Sequence, residues 1–256
     1  MTVEPGDLGR GFATVDEPIR ERAAAPPARR GRLVQLDEFS VFVDEDRYAP
    51  EIQAAIDEGY YERRERDLVR AFLRPDDRVI ELGAGIGVVA MTVASIVGED
   101  RVTTMDANPE ILADARENFK RNGFAEIQTY SGLMRNRRAF AKDSVAAFHI
   151  DAVYWTSRLD ASATTPGIVK VVEAPVYCLE DEIADLGANV LLCDIEGGEI
   201  DLLIDADLSG IRLLIMETHY WMAGEAATDA LVSKLIRDGF AIHLGASGEH
   251  VSVFRR

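Results

Sequence analysis

The sequence predicts an α/β fold, a mostly parallel sheet with helices on both faces. Three observations predict it. Short apolar runs rich in β-branched residues alternate with helical patterns between residues 78 and 130. The same alternation resumes after about residue 176. Two closing strands flank a turn containing Gly245-Ala246-Ser247-Gly248, and so short a turn forces them to pair antiparallel.

Taken in order, residues 1–34 read as a flexible segment, with Pro26-Pro27 and six basic against five acidic residues, and 35–256 as the folded domain. Val41-Phe42-Val43 predicts a short strand, and 49–73 one helix, on which Glu62 to Asp67 form a solvated charged face and Pro75 is the stop. Arg78 to Leu82 is a strand. A helix runs from Val88 to Val97 and ends at Gly98. Val102 to Met105 is the second strand, closed by Asp106. Asn108 then caps a helix that opens with Pro109 and ends at Asn122-Gly123. Glu126 to Tyr130 is the third strand. Residues 133–175 break the rhythm and read as a β-hairpin-like insertion around Pro166-Gly167, where Tyr154-Trp155 and Ser157 are placed to cap a substrate site. Beyond it come a helix (178–186), a strand (190–195), a short helix (199–204), a strand (212–216), a helix (226–237) and the closing strands at 240–244 and 250–254.

Composition narrows the function. The 256 residues are 47% hydrophobic and 29% charged, as in ordinary globular proteins. Lys and Arg number 28 against 45 Asp and Glu, a net charge of -17. That charge repels phosphate backbones and anionic membranes, so neither nucleic acid nor membrane is an expected partner. No apolar run reaches the ~18 residues of a membrane span, and no secretory signal is recognisable, which points to the cytoplasm. Cys178 and Cys193 form no CxxC pair and read as reduced thiols, and His149, His243 and His250 read as structural. The oligomeric state is open, a homo-oligomer included.

The chemistry gathers at strand ends. Gly83-Ala84-Gly85-Ile86-Gly87 follows the first parallel strand and opens a helix, the place where open α/β sheets bind ligands. A dinucleotide fingerprint needs glycine at position 88, which is Val, so a nicotinamide cofactor is disfavoured. Asp106 ends the second strand, where a carboxylate can accept two hydrogen bonds from a ribose diol; its other reading is a turn aspartate. Ser131-Gly132 ends the third strand beside the same crevice.

Glu81-Leu82-Gly83-Ala84-Gly85-Ile86-Gly87, Asp106 and the antiparallel closing pair resemble the class I S-adenosylmethionine-dependent methyltransferases. The resemblance spans about residues 65–256 and implies a Rossmann-like sheet of seven strands, mostly parallel, with the last strand antiparallel. A further motif, Asp194-Ile195-Glu196-Gly197-Gly198-Glu199, resembles the D-x-E-G-x-E signature of FkbM-type methyltransferases, and Glu217-Thr218-His219 resembles the E-x-H that follows it there. That family is associated with O-methylation of sugars and polyketide-type hydroxyls. The chain departs from it in Glu81, where Asp is frequent, and in Arg135, Arg137 and Arg138. The cofactor set implied is Glu81, Gly83, Ala84, Gly85, Gly87, Asp106, Ala107, Ser131, Gly132 and Asp194. The acceptor implied is a small metabolite, sugar, glycan or polyketide-like hydroxyl.

Asp194, Glu196, Glu199, Glu217 and His219 fall at the carboxyl ends of adjacent strands, hence at one rim. Massed acids are costly unless a cation or proton traffic offsets their repulsion, and the sulfonium and ammonium of S-adenosylmethionine are cations. His219, Asp194 and Glu217 are the candidate catalytic residues, with His219 the base because its ordinary pKa lies near neutrality; the alternative is a histidine held by a neighbouring carboxylate. Glu196 and Glu199 double as ordinary acids of a helix N-terminus. Oxygen and imidazole donors suit a divalent ion at Asp194, Glu217 and His219, but spacing alone assigns no metal ligand. N- or C-methylation on the same fold, and a non-catalytic cofactor-binding scaffold, are the alternative readings.

Overall fold

The structure, a computed structural model, describes residues 30–141, 144–153, 156–157, 162, 164–248 and 250–256. The chain enters through a hairpin of β1 (Gly31–Leu36) and β2 (Phe39–Asp44). Gly31 to Val34 are therefore strand residues within the segment expected to be flexible, and residues 1–29 lie outside the described ones. The helix expected over 49–73 is two helices, α1 (Pro50–Asp57) and α2 (Arg63–Phe72). The break has a local cause. The backbone N–H groups of Tyr60 and Tyr61 both donate to Ala55 O at 3.0 Å, and Gly59 and Glu62 take positive φ of 78° and 46°, which end one helix and redirect the chain.

The core βαβ run follows: β3 (Val79–Leu82), α3 (Val88–Val97), β4 (Val102–Asp106), α4 (Pro109–Asn122) and β5 (Gln128–Ser131). The insertion holds β6 (Leu133–Arg135), α5 (Arg137–Phe140), β7 (Val145–Asp151) and β8 (Ile168–Cys178). β7 and β8 pair antiparallel, as the hairpin reading expects, and β6 adds a parallel strand against β8, from Leu133↔Val176 to Arg135↔Cys178. Tyr154-Trp155 lies outside the described residues. The remaining elements are α6 (Leu179–Leu186), β9 (Val190–Cys193), α7 (Glu199–Leu203), β10 (Leu213–Glu217), α8 (Tyr220–Ala223), α9 (Glu225–Arg237), β11 (Ala241–Ile242) and β12 (Val251–Arg255).

Among the described residues, seven strands form one sheet in the order β11-β12-β10-β9-β3-β4-β5. β3, β4, β5, β9 and β10 are parallel, and β12 runs antiparallel between β10 and β11. The fold is the Rossmann-like α/β architecture the sequence predicts, and the last strand is the antiparallel one.

Strand alternation divides the interior into two cores. Val79, Val190, Leu192, Leu213 and Ile215 pack on the face covered by residues of α1 to α4. Ile80, Leu82, Leu191, Cys193, Leu214 and Met216 pack on the other face, against α6, α7 and α9. Runs buried on both faces have no polar period, which is why β9 reads as a continuous apolar stretch, as does β10 up to Glu217 and β3 apart from Glu81. The hairpin is moored to α4 by its main chain. Ser40 N donates to Asn122 Oδ1 at 2.8 Å and Phe42 N to Asn118 Oδ1 at 3.0 Å.

Candidate active site

Register brings the functional side chains to one rim. Leu82 lies opposite Met105 and Cys193, Cys193 opposite Met216, and Asp106 opposite Ser131. The residues just past these pairs, Gly83, Asp194 and Glu217, therefore stand side by side at the carboxyl ends of β3, β9 and β10.

The glycine loop is built by close backbone approach. A Cβ on Gly83 would sit 1.8 Å from Asp194 O, and Gly83 has φ of 92°, so only glycine fits there. The loop is sewn to β4: Gly83 N and Ala84 N both donate to Met105 O, and Gly85 N donates to Asp106 Oδ2 at 3.2 Å. Asp106 Oδ1 in turn accepts from Asn108 N at 2.8 Å. One carboxylate thus joins the loop to the start of α4, whose N-cap Asn108 accepts from Glu110 N at 3.1 Å. Burial raises the Asp106 pKa, the two backbone N–H groups hold it back, and it comes to about 6.

A cavity of about 390 Å³ opens over this loop. Of the cofactor set expected from sequence, Gly83, Gly85, Asp106, Ala107, Gly132 and Asp194 line it. Glu81, Ala84, Gly87 and Ser131 do not. Glu81 instead lines a small neighbouring cavity with Glu62, Gly83, Asp194 and Glu217; it is 3% exposed, the Thr104 hydroxyl bonds its Oε2, and burial lifts its pKa to about 8. Gly87 makes room for Phe119, whose ring would lie 2.4 Å from an added Cβ, and Ala84 is buried. The insertion closes the far wall with Leu133, Arg135 and Phe148, and Phe148 packs on Ala107 beside Asp106.

Glu62 is a lining residue that the sequence reading missed. It belongs to the stretch expected as a solvated face, but its positive φ turns it over Gly85, where its Oε1 would lie 2.8 Å from an added Cβ. Its Oε2 is buried and accepts no hydrogen bond among the described residues. Burial, then the charges of Glu81 and Glu65, push this carboxyl well above its ordinary range. Glu65 also lines a cavity, and Arg66 is 1% exposed, so half of the expected charged face is interior. Adjacent charges in one helical turn carry no sequence signal that separates them from a solvated surface.

A second cavity adjoins the first and shares Glu62, Asp194 and Glu196 with it; Tyr61, Glu65, Thr156, Glu217, His219, Trp221 and Met222 complete the lining. His219 is its centre, 5% exposed. Its Nδ1 lies 2.9 Å from Glu199 Oε1, and its Nε2 lies 3.0 Å from Glu196 Oε2, 3.9 Å from Glu217 Oε1 and 4.0 Å from Asp194 Oδ1. Burial pulls the imidazole pKa down, but the hydrogen bonds to Glu196 and Glu199 outweigh it and raise it to about 11. That is above the near-neutral value expected of His219 from sequence, because carboxylates face both of its ring nitrogens. Burial is also the largest cause at Glu217, lifted to about 7, and at Asp194, lifted well above the carboxylate range with Glu217 and Glu196 adding to it.

Glu199 exceeds its expected part as a helix-terminal acid. It is buried, and its Oε1 accepts from Ile195 N at 3.0 Å and Gly197 N at 3.3 Å while facing His219. It thus holds the loop in which Glu196 takes a left-handed φ of 53° and Gly197 one of 95°. The three arginines of the insertion part company: Arg135 lines the first cavity, while Arg137 pairs with Asp181 at 2.6 Å and Arg138 with Asp205 at 3.0 Å on the surface.

A cofactor carrying a ribose and an ammonium fits these residues. Asp106 and the bare backbone at Gly83 and Gly85 line the cavity, and Glu62, whose Oε2 is unpaired among the described residues, lies over Gly85. Among the described residues, no helix is long and apolar enough to cross a membrane.

Residues 79–174 match the family model of the methyltransferase domain. No curated protein matches the chain. Among solved structures, it is similar to a precorrin-6y C5,15-methyltransferase from Geobacter metallireducens, at 14% identity and TM-score 0.43, over 79% of this chain and 81% of that one. It is also similar to a ribosomal protein L11 methylase from Lactobacillus delbrueckii subsp. bulgaricus, at 15% identity and TM-score 0.44, over 87% and 95%. A third is Aeropyrum pernix fibrillarin with natively bound S-adenosyl-L-methionine, at 13% identity and TM-score 0.40, over 74% and 71%. The matched segment begins at β3 and contains the whole glycine loop and Asp106, so residues 79–174 carry a methyltransferase domain.

Proposed function

We propose that this chain is a FkbM-type O-methyltransferase acting on a hydroxyl of a small metabolite, sugar or polyketide-like acceptor. The observation that carries the reading is the shared wall of the two cavities: Glu62, Asp194 and Glu196 line both the seat built by the glycine loop and the pocket centred on His219. A donor in one and an acceptor in the other meet across that wall. Alignment of the reacting atoms is then the main source of acceleration.

Bound at Gly83, Gly85 and Asp106, S-adenosylmethionine would supply an electrophilic methyl group on a sulfonium for transfer to the acceptor oxygen. Asp106 accepts hydrogen bonds from the ribose diol. Glu62 faces the ammonium, and Gly83 and Gly85 let the ligand approach the backbone. Phe148 and Ala107 form an apolar wall on the far side. Glu196 stands at the shared wall within reach of both cavities, and it receives the proton the acceptor loses. His219 stands against Glu196 at Nε2 and is itself fixed by Glu199 at Nδ1. Asp194 and Glu217 flank the acceptor oxygen.

One observation favours a second reading. Glu62, Glu65, Asp194, Glu196 and Glu217 all line the second cavity, and so acidic a pocket also suits an amine acceptor.

Calorimetry with S-adenosylhomocysteine, paired with transfer of a labelled methyl group, tests both layers. Asp106→Ala lowers cofactor affinity at least tenfold, since hydrogen bonds to a charged group contribute about 1.5–3 kcal/mol each. His219→Ala keeps cofactor affinity and loses turnover. Unchanged cofactor heat in Asp106→Ala refutes the seat, and methyl transfer to amines but not to hydroxyls replaces the O-methylation reading with the second one.

A further inference from the structure

We infer that Asp194, Glu217 and Nε2 of His219 form a divalent-cation site in the second cavity, which holds the acceptor oxygen by direct coordination. The inference rests on the reading of that cavity as the acceptor pocket and names how the acceptor is gripped there.

Geometry carries it. Each of the three residues offers one ligand atom, and these atoms lie within 4.8 Å of one another. From His219 Nε2 the distances are 3.9 Å to Glu217 Oε1 and 4.0 Å to Asp194 Oδ1. Around one ion with bonds of about 2.1 Å, ligand atoms stand between about 3 Å and 4.2 Å apart, so a small turn of either carboxylate closes the set. The cluster is therefore spaced like a ligand set.

An orphaned oxygen in the cluster supports the same conclusion. Asp194 Oδ1 is shielded from solvent and accepts no hydrogen bond among the described residues. A buried carboxylate oxygen with no donor costs free energy unless a cation satisfies it. This is the same oxygen that faces His219 Nε2.

The third support lies behind the imidazole. Glu199, buried and fixed by the N–H groups of Ile195 and Gly197, binds His219 Nδ1 at 2.9 Å. Metal-bound histidines are commonly oriented by a carboxylate on the other ring nitrogen, which fixes the tautomer and aims the free nitrogen at the ion. Here Nε2 bonds Glu196 Oε2 at 3.0 Å, and Glu217 and Asp194 stand beside it at 3.9 Å and 4.0 Å. On loading, the ion replaces the Nε2 proton that bridges to Glu196, and that proton leaves to solvent. Glu196 is thereby freed to take the acceptor's proton. One imidazole with two carboxylates is a donor set for Mn²⁺ or Mg²⁺ rather than for soft, thiolate-seeking ions.

The test is a titration of the full chain with MnCl₂, read by calorimetry and by loss of the free Mn²⁺ electron-spin signal. One ion binds per chain. Glu217→Gln, at the open side of the cluster, weakens binding at least tenfold, and Asp194→Asn does the same. Glu199→Gln leaves all three ligands in place and weakens binding 10- to 100-fold, as loss of an outer-shell partner does. Melting curves and S-adenosylhomocysteine heats establish which variants fold, and Glu217→Gln decides the matter if a buried substitution does not. A wild-type chain that binds S-adenosylhomocysteine but takes up no Mn²⁺, Mg²⁺ or Zn²⁺ overturns the cation site and leaves the methyltransferase reading standing. Mn²⁺ binding that Glu217→Gln leaves unchanged overturns it too. Absence of cofactor heat strikes at the acceptor-pocket reading instead.

Discussion

Glu81 lies in the middle of β3, buried between strands, with the Thr104 hydroxyl on its Oε2. Burial is the main reason its pKa is about 8 rather than 4.5, and the Asp106 charge adds to it. Between those two values the folded chain keeps a proton that the unfolded chain has released, so rising pH favours the unfolded state. The slope approaches ~1.4 kcal/mol per pH unit for a fully displaced proton. Glu81→Gln removes this term. Urea denaturation at pH 5 and pH 8 is expected to show the variant gaining on the wild type by about a kcal/mol or more across that span. Glu217 and His219 titrate in both proteins, so the difference reports Glu81 together with its coupling to Glu62 and Asp106. A difference that stays flat from pH 5 to pH 8 would sink the account. This residue also shows what sequence conceals. Glu81 sits in the glycine motif and reads as a cofactor contact, but it is buried against Thr104 and lines a small neighbouring cavity rather than the one over the glycine loop. Glu62 sits among arginines and reads as solvent-facing, but the positive φ at its own backbone turns it inward. Neither orientation is written in residue type, because both depend on tertiary packing.

At the scale of elements, the legible parts are those whose chemistry is local. Asn108-Pro109 and Asn122-Gly123 mark the ends of α4, and the structure begins and ends the helix there. The four-residue β3 and β9 are legible because both faces are buried and every position is apolar or, at Glu81, sealed in the sheet. By contrast, β6 has three residues, too few for any periodicity, and it exists because β8 offers an edge. The single helix expected over 49–73 fails for a related reason. Its apolar spacing persists through Tyr60 and Tyr61, while the backbone of Gly59 and Glu62 leaves helical space. Asn108 gives the element scale its prediction. Its side chain caps α4, and its backbone N–H, which substitution leaves intact, holds Asp106. Asn108→Ala is therefore expected to cost ~1 kcal/mol in urea denaturation. Cofactor affinity should fall less than tenfold. A larger loss of affinity than of stability would mean that the amide touches the ligand directly.

For the whole molecule, charge decides what can reach the site. The net charge of -17 is spread over a chain whose second cavity is itself lined by Glu62, Glu65, Asp194, Glu196 and Glu217. The basic stretch of the insertion does not offset this, because Arg137 and Arg138 are already paired with Asp181 and Asp205. A polyanion approaching the mouth meets repulsion from the molecule and again from the pocket. A neutral hydroxyl compound meets neither barrier, and a cation, bound or carried by the acceptor, is drawn in. The chain is accordingly expected not to retain tRNA or ribosomal RNA in a filter-binding measurement at 150 mM salt, and not to pass a labelled methyl group to either. Retention at that salt with an affinity that falls steeply as salt rises would reveal a basic surface elsewhere on the chain. It would overturn the small-acceptor reading while leaving the seat at Gly83 and Asp106 untouched.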